Sequence, residues 1–587
     1  MAQRPDIVIR NGLIHDGSGG TPFTADIAIS GGVIRRVGGT VPPGVEEIDA
    51  AGAIVTPGFV DIHTHYDGQV TWEHQLKPSS SHGVTTVVMG NCGVGFAPIR
   101  PHQRELAIKL MEGVEDIPEV VMAEGLPWNW ETFPEYLDAL DQRHTDIDFA
   151  TQIPHSPLRV YVMGDRGANL EPPTAGDLAE MRRLTAEAVR AGALGVSTSR
   201  HIVHRFRDGR LAPSVPTPDE EVLALAGGLR DAGTGVFQLL PSYEVETPAM
   251  IALNRKLAQT SGRPVSFTLA QNPQRPDAWR EILRDMADAN AQGLTIRGQV
   301  LPRPSAVMLG LDLSLHPFAL NPSYRAIEHL PLAERVRAMR DPDLRARIIA
   351  ERPDDPNPFF IWVIDESNSM FVLGDPPNYN PRGEDSLAAV AEREGRPLRE
   401  VIYDALLLRE GQEILYRPMG GTMGERFHGP VEDLVPDPHT IIALGDGGAH
   451  YSMICDAAYP TYMLTYWVRN AEPERALALP DMIRMLARDP ALAVGLEDRG
   501  LIRAGYKADL NVIDMNRIHL HAPLPRRDLP TGARRLEQQA DGYVATIVSG
   551  VVIAREGEPT GALPGRLVRG AKPSPEAADG MEPAIAA

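Results

Sequence analysis

The stretch that most constrains this chain is Pro57-Gly58-Phe59-Val60-Asp61-Ile62-His63-Thr64-His65, followed at once by Tyr66-Asp67. It is an apolar run that ends in His-x-His. On a strand, side chains at i and i+2 leave the same face. Both imidazoles can therefore reach one metal ion at the strand's end. The alternative for a bare His-x-His is a pair of histidines capping a buried strand with ordinary hydrogen bonds. The flanks favour the metal pair: Thr56-Pro57-Gly58 precedes it and Gly83-Val84-Thr85-Thr86-Val87-Val88 follows.

Downstream, apolar strands alternate with helical segments. Eight strands are legible, at 59–63, 85–90, 146–153, 193–198, 235–240, 265–270, 294–301 and 440–444. Helices over 175–191 and 220–232 lie between them, the first behind the start signal Pro172-Pro173-Thr174. This order predicts an α/β fold, a (β/α)₈ TIM barrel, with the active site at the strands' C-terminal ends. His63 and His65 sit there. The step over 303–439 is too long for a simple connection and predicts an insertion over the barrel mouth.

Short strands with hairpin-type turns, such as Asn11-Gly12 and Ser30-Gly31-Gly32, fill the chain before 57. The same texture returns in 508–514 and 544–553. The two ends are expected to build one small β-sandwich domain from 1–56 and 500–570, beside a barrel over 57–499. The Pro-, Ala- and Glu-rich 571–587 reads as a disordered tail.

Bulk numbers fit this division. The 587 residues exceed one compact core, and 43% hydrophobic content supplies a large one. A net charge of -21 argues against nucleic acid and anionic membrane surfaces as partners. Cys92 and Cys455, the two cysteines, are no disulfide framework. The chain starts in a strand-like segment rather than a signal peptide, and no apolar run reaches membrane length. The expected compartment is the cytoplasm.

Two further segments carry chemistry. Met89-Gly90-Asn91-Cys92-Gly93-Val94-Gly95 ends the second strand. Cys92 is there either a thiolate ligand for zinc or a small buried side chain in a tight turn. Ala443-Leu444-Gly445-Asp446-Gly447-Gly448-Ala449-His450 ends the eighth. Asp446 is either a metal ligand and general acid/base or a helix cap, and the barrel register favours the first. His450, beyond the turn, is placed to touch substrate. Gln238, Gln271 and Gln299 end adjacent strands and form a polar arc that either faces substrate or is satisfied in the interior.

These motifs, with Gly505-Tyr506-Lys507-Ala508-Asp509-Leu510 and Thr560-Gly561-Ala562-Leu563-Pro564-Gly565-Arg566, resemble the amidohydrolase superfamily. More narrowly, they resemble its N-acyl-D-amino-acid deacylase (D-aminoacylase) branch, along nearly the whole chain. The resemblance implies a zinc-dependent hydrolase of an amide C–N bond acting on a small molecule. It implies His63, His65, Cys92 and Asp446 as metal ligands, with Asp446 also the acid/base. His155 sits where the branch has a His-Ser motif and is expected to orient either substrate or a supporting group; it joins Gln238, Tyr243, Gln271, Gln299 and His450 as expected substrate contacts. The chain also departs from the branch, which has a metal-binding histidine after each of the fifth and sixth strands. Neither 236–243 nor 266–272 contains one. A neutral amide oxygen is a poor zinc ligand. One ion per chain is therefore expected, zinc or another divalent metal, unless His201 or His204 substitutes. The alternatives are a single-metal hydrolase of a cyclic amide or other carbonyl compound, and an inactive ligand-binding homologue. A homo-oligomer is left open.

Overall fold

The computed structural model describes residues 4–272, 274–353, 358–365, 369–419 and 429–576. Its architecture is mixed α/β. The apolar runs become parallel strands buried on both faces, as crossover helices require. Phe59–Asp61, Val84–Met89 and Asp148–Thr151 pair in chain order as one parallel sheet. After Gln152 the third strand resumes as Ile153–Pro154 and opens a second parallel sheet. This sheet continues through Gly195–Ser199, Val236–Leu240, Val265–Thr268, Ile296–Val300 and Thr440–Ile442. All eight sequence-derived strands are present, and their spatial order is their chain order. The two sheets are separate ladders. Between the last strand and the first, the turn after 444 bonds to the His-x-His segment, Asp446 N to His63 O at 3.1 Å and His65 N to Gly447 O at 2.8 Å.

The helices form where local signals place them. Ala175–Ala191 starts at Thr174, whose hydroxyl accepts from Asp177 N while Asp177 returns a bond to Thr174 N. That reciprocal pair satisfies two orphan donors. The helix stops at Gly192, which has a positive φ of 125°.

Strands from both ends of the chain share one nine-stranded sheet. Leu510–Ile513 is its middle, antiparallel to Ile54–Pro57 on one side and to Tyr543–Val548 on the other. The strands expected to make a sandwich thus form a single ladder of mixed pairing, because Leu510–Ile513 bridges the two groups. Gly58 joins this sheet to the first parallel strand. A Cβ there would lie 2.2 Å from the Thr85 hydroxyl, so only glycine lets the chain cross.

The 303–439 segment has a core of its own, including Leu309, Phe318, Val336, Met339, Ile402, Leu406 and Leu415. It includes a three-stranded antiparallel sheet of Ala306–Leu309, Leu415–Pro418 and Phe371–Val372. The disorder expected of 571–587 is corrected at its start. Lys572 N donates to Gly495 O, Glu497 N donates to Lys572 O, and Glu576 pairs with Arg503, so backbone pairing overrides a polar composition. Residues 577–587 lie outside the described residues. No helix among the described residues is long and apolar enough to cross a membrane.

A buried charge cluster fastens the terminal sheet to the parallel strands. Arg499 Nη1 lies 2.8 Å from Asp148 Oδ2 on the third strand, and Lys507 Nζ bridges the same oxygen at 3.1 Å to Asp509 Oδ1 at 2.5 Å. Arg499 and Asp148 are both buried. Removing one partner of a buried pair strands the other charge. Arg499→Met is expected to cost about 3–5 kcal/mol and to lower the urea midpoint followed by circular dichroism. An unchanged midpoint would mean that this contact adds nothing.

Candidate metal centre

His63 and His65 leave the first parallel strand side by side, and each is 2% exposed. His63 Nδ1 is 2.6 Å from Gln299 Oε1. A carbonyl oxygen can only accept, so Nδ1 carries the hydrogen and Nε2 keeps its lone pair. That Nε2 faces Cys92 Sγ at 3.2 Å and Asp446 Oδ1 at 3.6 Å. His65 Nε2 is also 3.6 Å from Asp446 Oδ1. Donor atoms of His63, His65 and Cys92 all lie within 4.8 Å of one another.

The Asn-Cys-Gly turn aims the sulfur. Asn91 Nδ2 donates to Thr64 O and Val88 O, and its Oδ1 accepts from Gln152 Nε2, so it ties together the ends of the first three strands. Cys92 takes a left-handed φ of 54°, its N–H donates to Gln238 Oε1, and Gly93 N donates to Ser197 Oγ. The Asp446 turn is wedged as tightly. A Cβ on Gly445 would meet Asp61 Oδ2 at 2.1 Å, and Gly448, at φ 89°, lies against the His65 backbone. No helix starts after Asp446; the next helical turn is Asp456–Ala458. The cap reading of Asp446 therefore has no helix to cap.

Burial sets the protonation states. It lowers His63 and His450 to about 4 and His65 well below its usual value, so these imidazoles are neutral near pH 7 with lone pairs available. It pushes the Cys92 thiol well up, with Glu115 and Asp446 adding to the rise, and Asp446 up to about 7. Two imidazole nitrogens, a sulfur and a carboxylate are a donor set that suits zinc. A buried thiolate in these surroundings needs a neighbouring positive charge, and a divalent ion supplies it. The residues present fit such an ion.

The expected substrate contacts divide. His450 and Asp446 keep 20% and 22% of their side chains exposed, so both remain within reach of solvent. His155 does not. It is fully buried, with Nδ1 2.8 Å from Thr198 Oγ1 and Nε2 2.8 Å from Glu221 Oε1. Both ring nitrogens are spent inside the protein, which corrects its placement against substrate and leaves the supporting role as the one its bonds fit. Gln299 and Gln238 are corrected likewise. Gln299 bonds His63 and Ser266, while Gln238 holds the Cys92 turn, so both support ligand-bearing elements. Gln271 is buried and donates to Pro276 O at 3.3 Å. The Tyr243 hydroxyl donates to Thr268 O and accepts from Ala270 N, and its ring meets His201 edge-on. His201 and His204 are half-buried; among the described residues neither joins the His63, His65 and Cys92 group.

Sequence reading missed Glu115. It ends the helix Arg104–Glu115, is 1% exposed, and places Oε1 3.5 Å from His65 Nδ1 and Oε2 3.4 Å from His450 Nε2. The signal was there: Ile108, Met111 and Glu115 fall at i, i+3 and i+7 on the apolar face, where an acid is out of place.

Comparison with known proteins gives the family and the fold. An uncharacterized protein of Mycobacterium tuberculosis is 28% identical over 581 residues, covering 94% of this chain and 92% of its own. An N-acyl-D-aspartate deacylase of Alcaligenes xylosoxydans is 33% identical over 235 residues, covering 40% of this chain and 42% of the deacylase. The crystal structure of an N-acyl-D-glutamate deacylase from Bordetella bronchiseptica, complexed with zinc and a phosphonate inhibitor, superposes with a TM-score of 0.63 at 20% identity. That match covers 97% of this chain and 100% of the other, and it shows a shared fold. The amidohydrolase family model matches residues 46–554, and the chain belongs to the amidohydrolase family.

Proposed function

We propose that this chain is a metal-dependent hydrolase of an N-acyl amino acid or a closely similar amide. In this reading the parallel strands close as a (β/α)₈ barrel over 57–499, and the terminal sheet, from 1–56 and 500–570, is its companion domain. The observation that carries the reading is the position of Asp446 Oδ1, 3.6 Å from Nε2 of both His63 and His65, with Cys92 Sγ 3.2 Å from His63 Nε2. Three buried donors and one partly exposed carboxylate thus converge at the strand ends. The D-amino-acid part of the substrate assignment comes from the deacylase relatives, whose names specify N-acyl-D-aspartate and N-acyl-D-glutamate.

His63, His65 and Cys92 would hold the ion, with Asp446 beside it. A divalent ion bound there would supply Lewis-acid polarisation of the amide carbonyl and a water made nucleophilic at neutral pH. Asp446 takes the proton from the attacking water and delivers it to the leaving nitrogen. Gln299 fixes the His63 tautomer so that Nε2 remains a ligand, a task usually worth 10–100-fold in metal affinity. Glu115 stands behind His65 and His450 and limits how either ring can turn. His450 lines the entrance beside Asp446. The amides of Gln238 and Gln271 stand where the deacylase branch has histidines, and Gln238 spends its oxygen on the Cys92 turn. We therefore assign one tightly held ion per chain, zinc being the first choice.

Elemental analysis of freshly purified protein is expected to give one tightly bound ion per chain and none in His63→Ala/His65→Ala. Two ions, or full occupancy in the double variant, would place ligands elsewhere. Gln299→Leu removes the acceptor at His63 Nδ1. It is expected to weaken metal affinity roughly 10–100-fold in competition with a chelator, and unaltered affinity would free the His63 tautomer from Gln299.

Asp446 must be ionised to act as base. Its carboxyl is raised to about 7 by burial, and positive charge in the loaded site lowers it from there. Activity should thus be lost as pH falls through an acid limb lying below about 7. Asp446→Asn, assayed with metal restored, is expected to lose about 10²–10⁴-fold in kcat and the acid limb with it. Near wild-type turnover would remove Asp446 from proton transfer and make His450 the next group to test.

A further inference from the structure

A second cavity, apart from the metal-site residues, lies where the 303–439 insertion meets the C-terminal segment. Its volume is about 640 Å³, within the range of small-molecule sites. The wall includes His316, Tyr324, Arg335, Arg527 and Arg534, with Asp312 and Glu328 as its two carboxylates. Three guanidiniums thus face two carboxylates. Asp312 is already shared, with Oδ1 3.1 Å from Arg534 Nη1 and 3.5 Å from Arg527 Nη2.

Arg335 is the telling residue. It is 7% exposed, and its Nε is buried without a partner. Nη1 donates only to neutral oxygens, the Tyr324 hydroxyl at 3.1 Å and Glu328 O at 3.3 Å. Among the described residues no carboxylate comes within ion-pair distance of it. A buried guanidinium without a counter-charge is costly to fold in, and an anion removes that cost. His316 repeats the pattern. It is 2% exposed, and its Nδ1 accepts from Phe318 N at 3.2 Å, which leaves the hydrogen on Nε2. That buried Nε2 has no acceptor. Tyr324 packs edge-on against His316, ring centroids 4.2 Å apart, and with its hydroxyl accepting from Arg335 its own hydrogen has no acceptor among the described residues. Arg335 Nε, His316 Nε2–H and the Tyr324 hydroxyl hydrogen are thus donors left without acceptors, while the Asp312 carboxylate is taken up by Arg534 and Arg527.

We infer that this cavity is a binding site for a small oxyanion, a carboxylate or a phosphate, held by Arg335, the His316 Nε2–H and the Tyr324 hydroxyl. Arg534 stands at its rim. A planar fork of donors suits either oxyanion. The site does not depend on the hydrolase reading, since none of its residues belongs to the metal centre.

The test titrates inorganic phosphate and, separately, succinate into the metal-loaded full-length protein at constant ionic strength set with sodium chloride. Melting temperature and calorimetry are the readouts. At least one probe should bind saturably, and the one that binds identifies the ligand as phosphate-bearing or carboxylate. Arg335→Gln should weaken that binding tenfold or more, with metal content and circular dichroism unchanged. If Arg335→Gln does not fold, His316→Phe and Arg534→Gln carry the test, each with a clear loss of affinity. The inference is overturned if neither probe gives a saturable response. It is equally overturned if binding survives the cavity variants and is lost in His63→Ala/His65→Ala, which would put the anion at the metal centre.

Discussion

One short length of chain belongs to three structures at once. Ile54–Pro57 is a strand of the terminal sheet, Phe59–Asp61 is the first parallel strand, and His63 and His65 follow directly. Gly58 is the crossing point, packed too closely against Thr85 for any side chain. The position of both imidazoles is therefore set from two sides. The terminal sheet holds the strand's start through Leu510–Ile513, and the Asp446 turn holds its end through hydrogen bonds to His63 and His65. A disturbance in either layer reaches the donor atoms through stiff backbone.

The centre is built from groups that burial makes neutral. Neutral imidazoles are good ligands, whereas a neutral thiol and a neutral carboxylic acid are not. In the proposed centre Cys92 and Asp446 would become ligands by releasing protons, which would couple metal affinity to pH. The surrounding amides and Glu115 are part of the same design. The Gln299 and Gln238 amides orient the His63 ring and the Cys92 turn without adding charge, whereas Glu115 stands behind His65 and His450 and helps to raise the Cys92 thiol.

Much of this was legible in the sequence because it rests on short-range rules. Strand periodicity located all eight parallel strands, and the i, i+2 spacing paired the histidines. The strand-end positions of Cys92 and Asp446 followed from the barrel register. What was not legible depended on long-range partners. His155 looks like a site residue by its neighbours, but Thr198 and Glu221 claim both of its nitrogens. Gln299 looks like a substrate contact until His63 is found 2.6 Å away. Glu115 was visible as an acid on an apolar helix face, but its meaning required knowing what that face packs against. The insertion's separate core was hidden for a similar reason, since its sheet pairs strands from both of its ends, Ala306–Leu309 with Leu415–Pro418, and adds Phe371–Val372 at the other edge.

The sheet that gathers both ends of the chain has a consequence for synthesis. Ile54–Pro57 emerges from the ribosome long before its partner Leu510–Ile513. With roughly 450 residues between them and translation at about 5–20 residues per second, the first strands wait roughly 20–90 s for the rest of their sheet. During that interval Ile54–Pro57 has an unpaired edge and the His-x-His strand is anchored at one side only. The nascent chain must pass this window without pairing its open edge with another copy, so its yield in a cell depends on chaperones and on translation speed as well as on the stability of the finished fold.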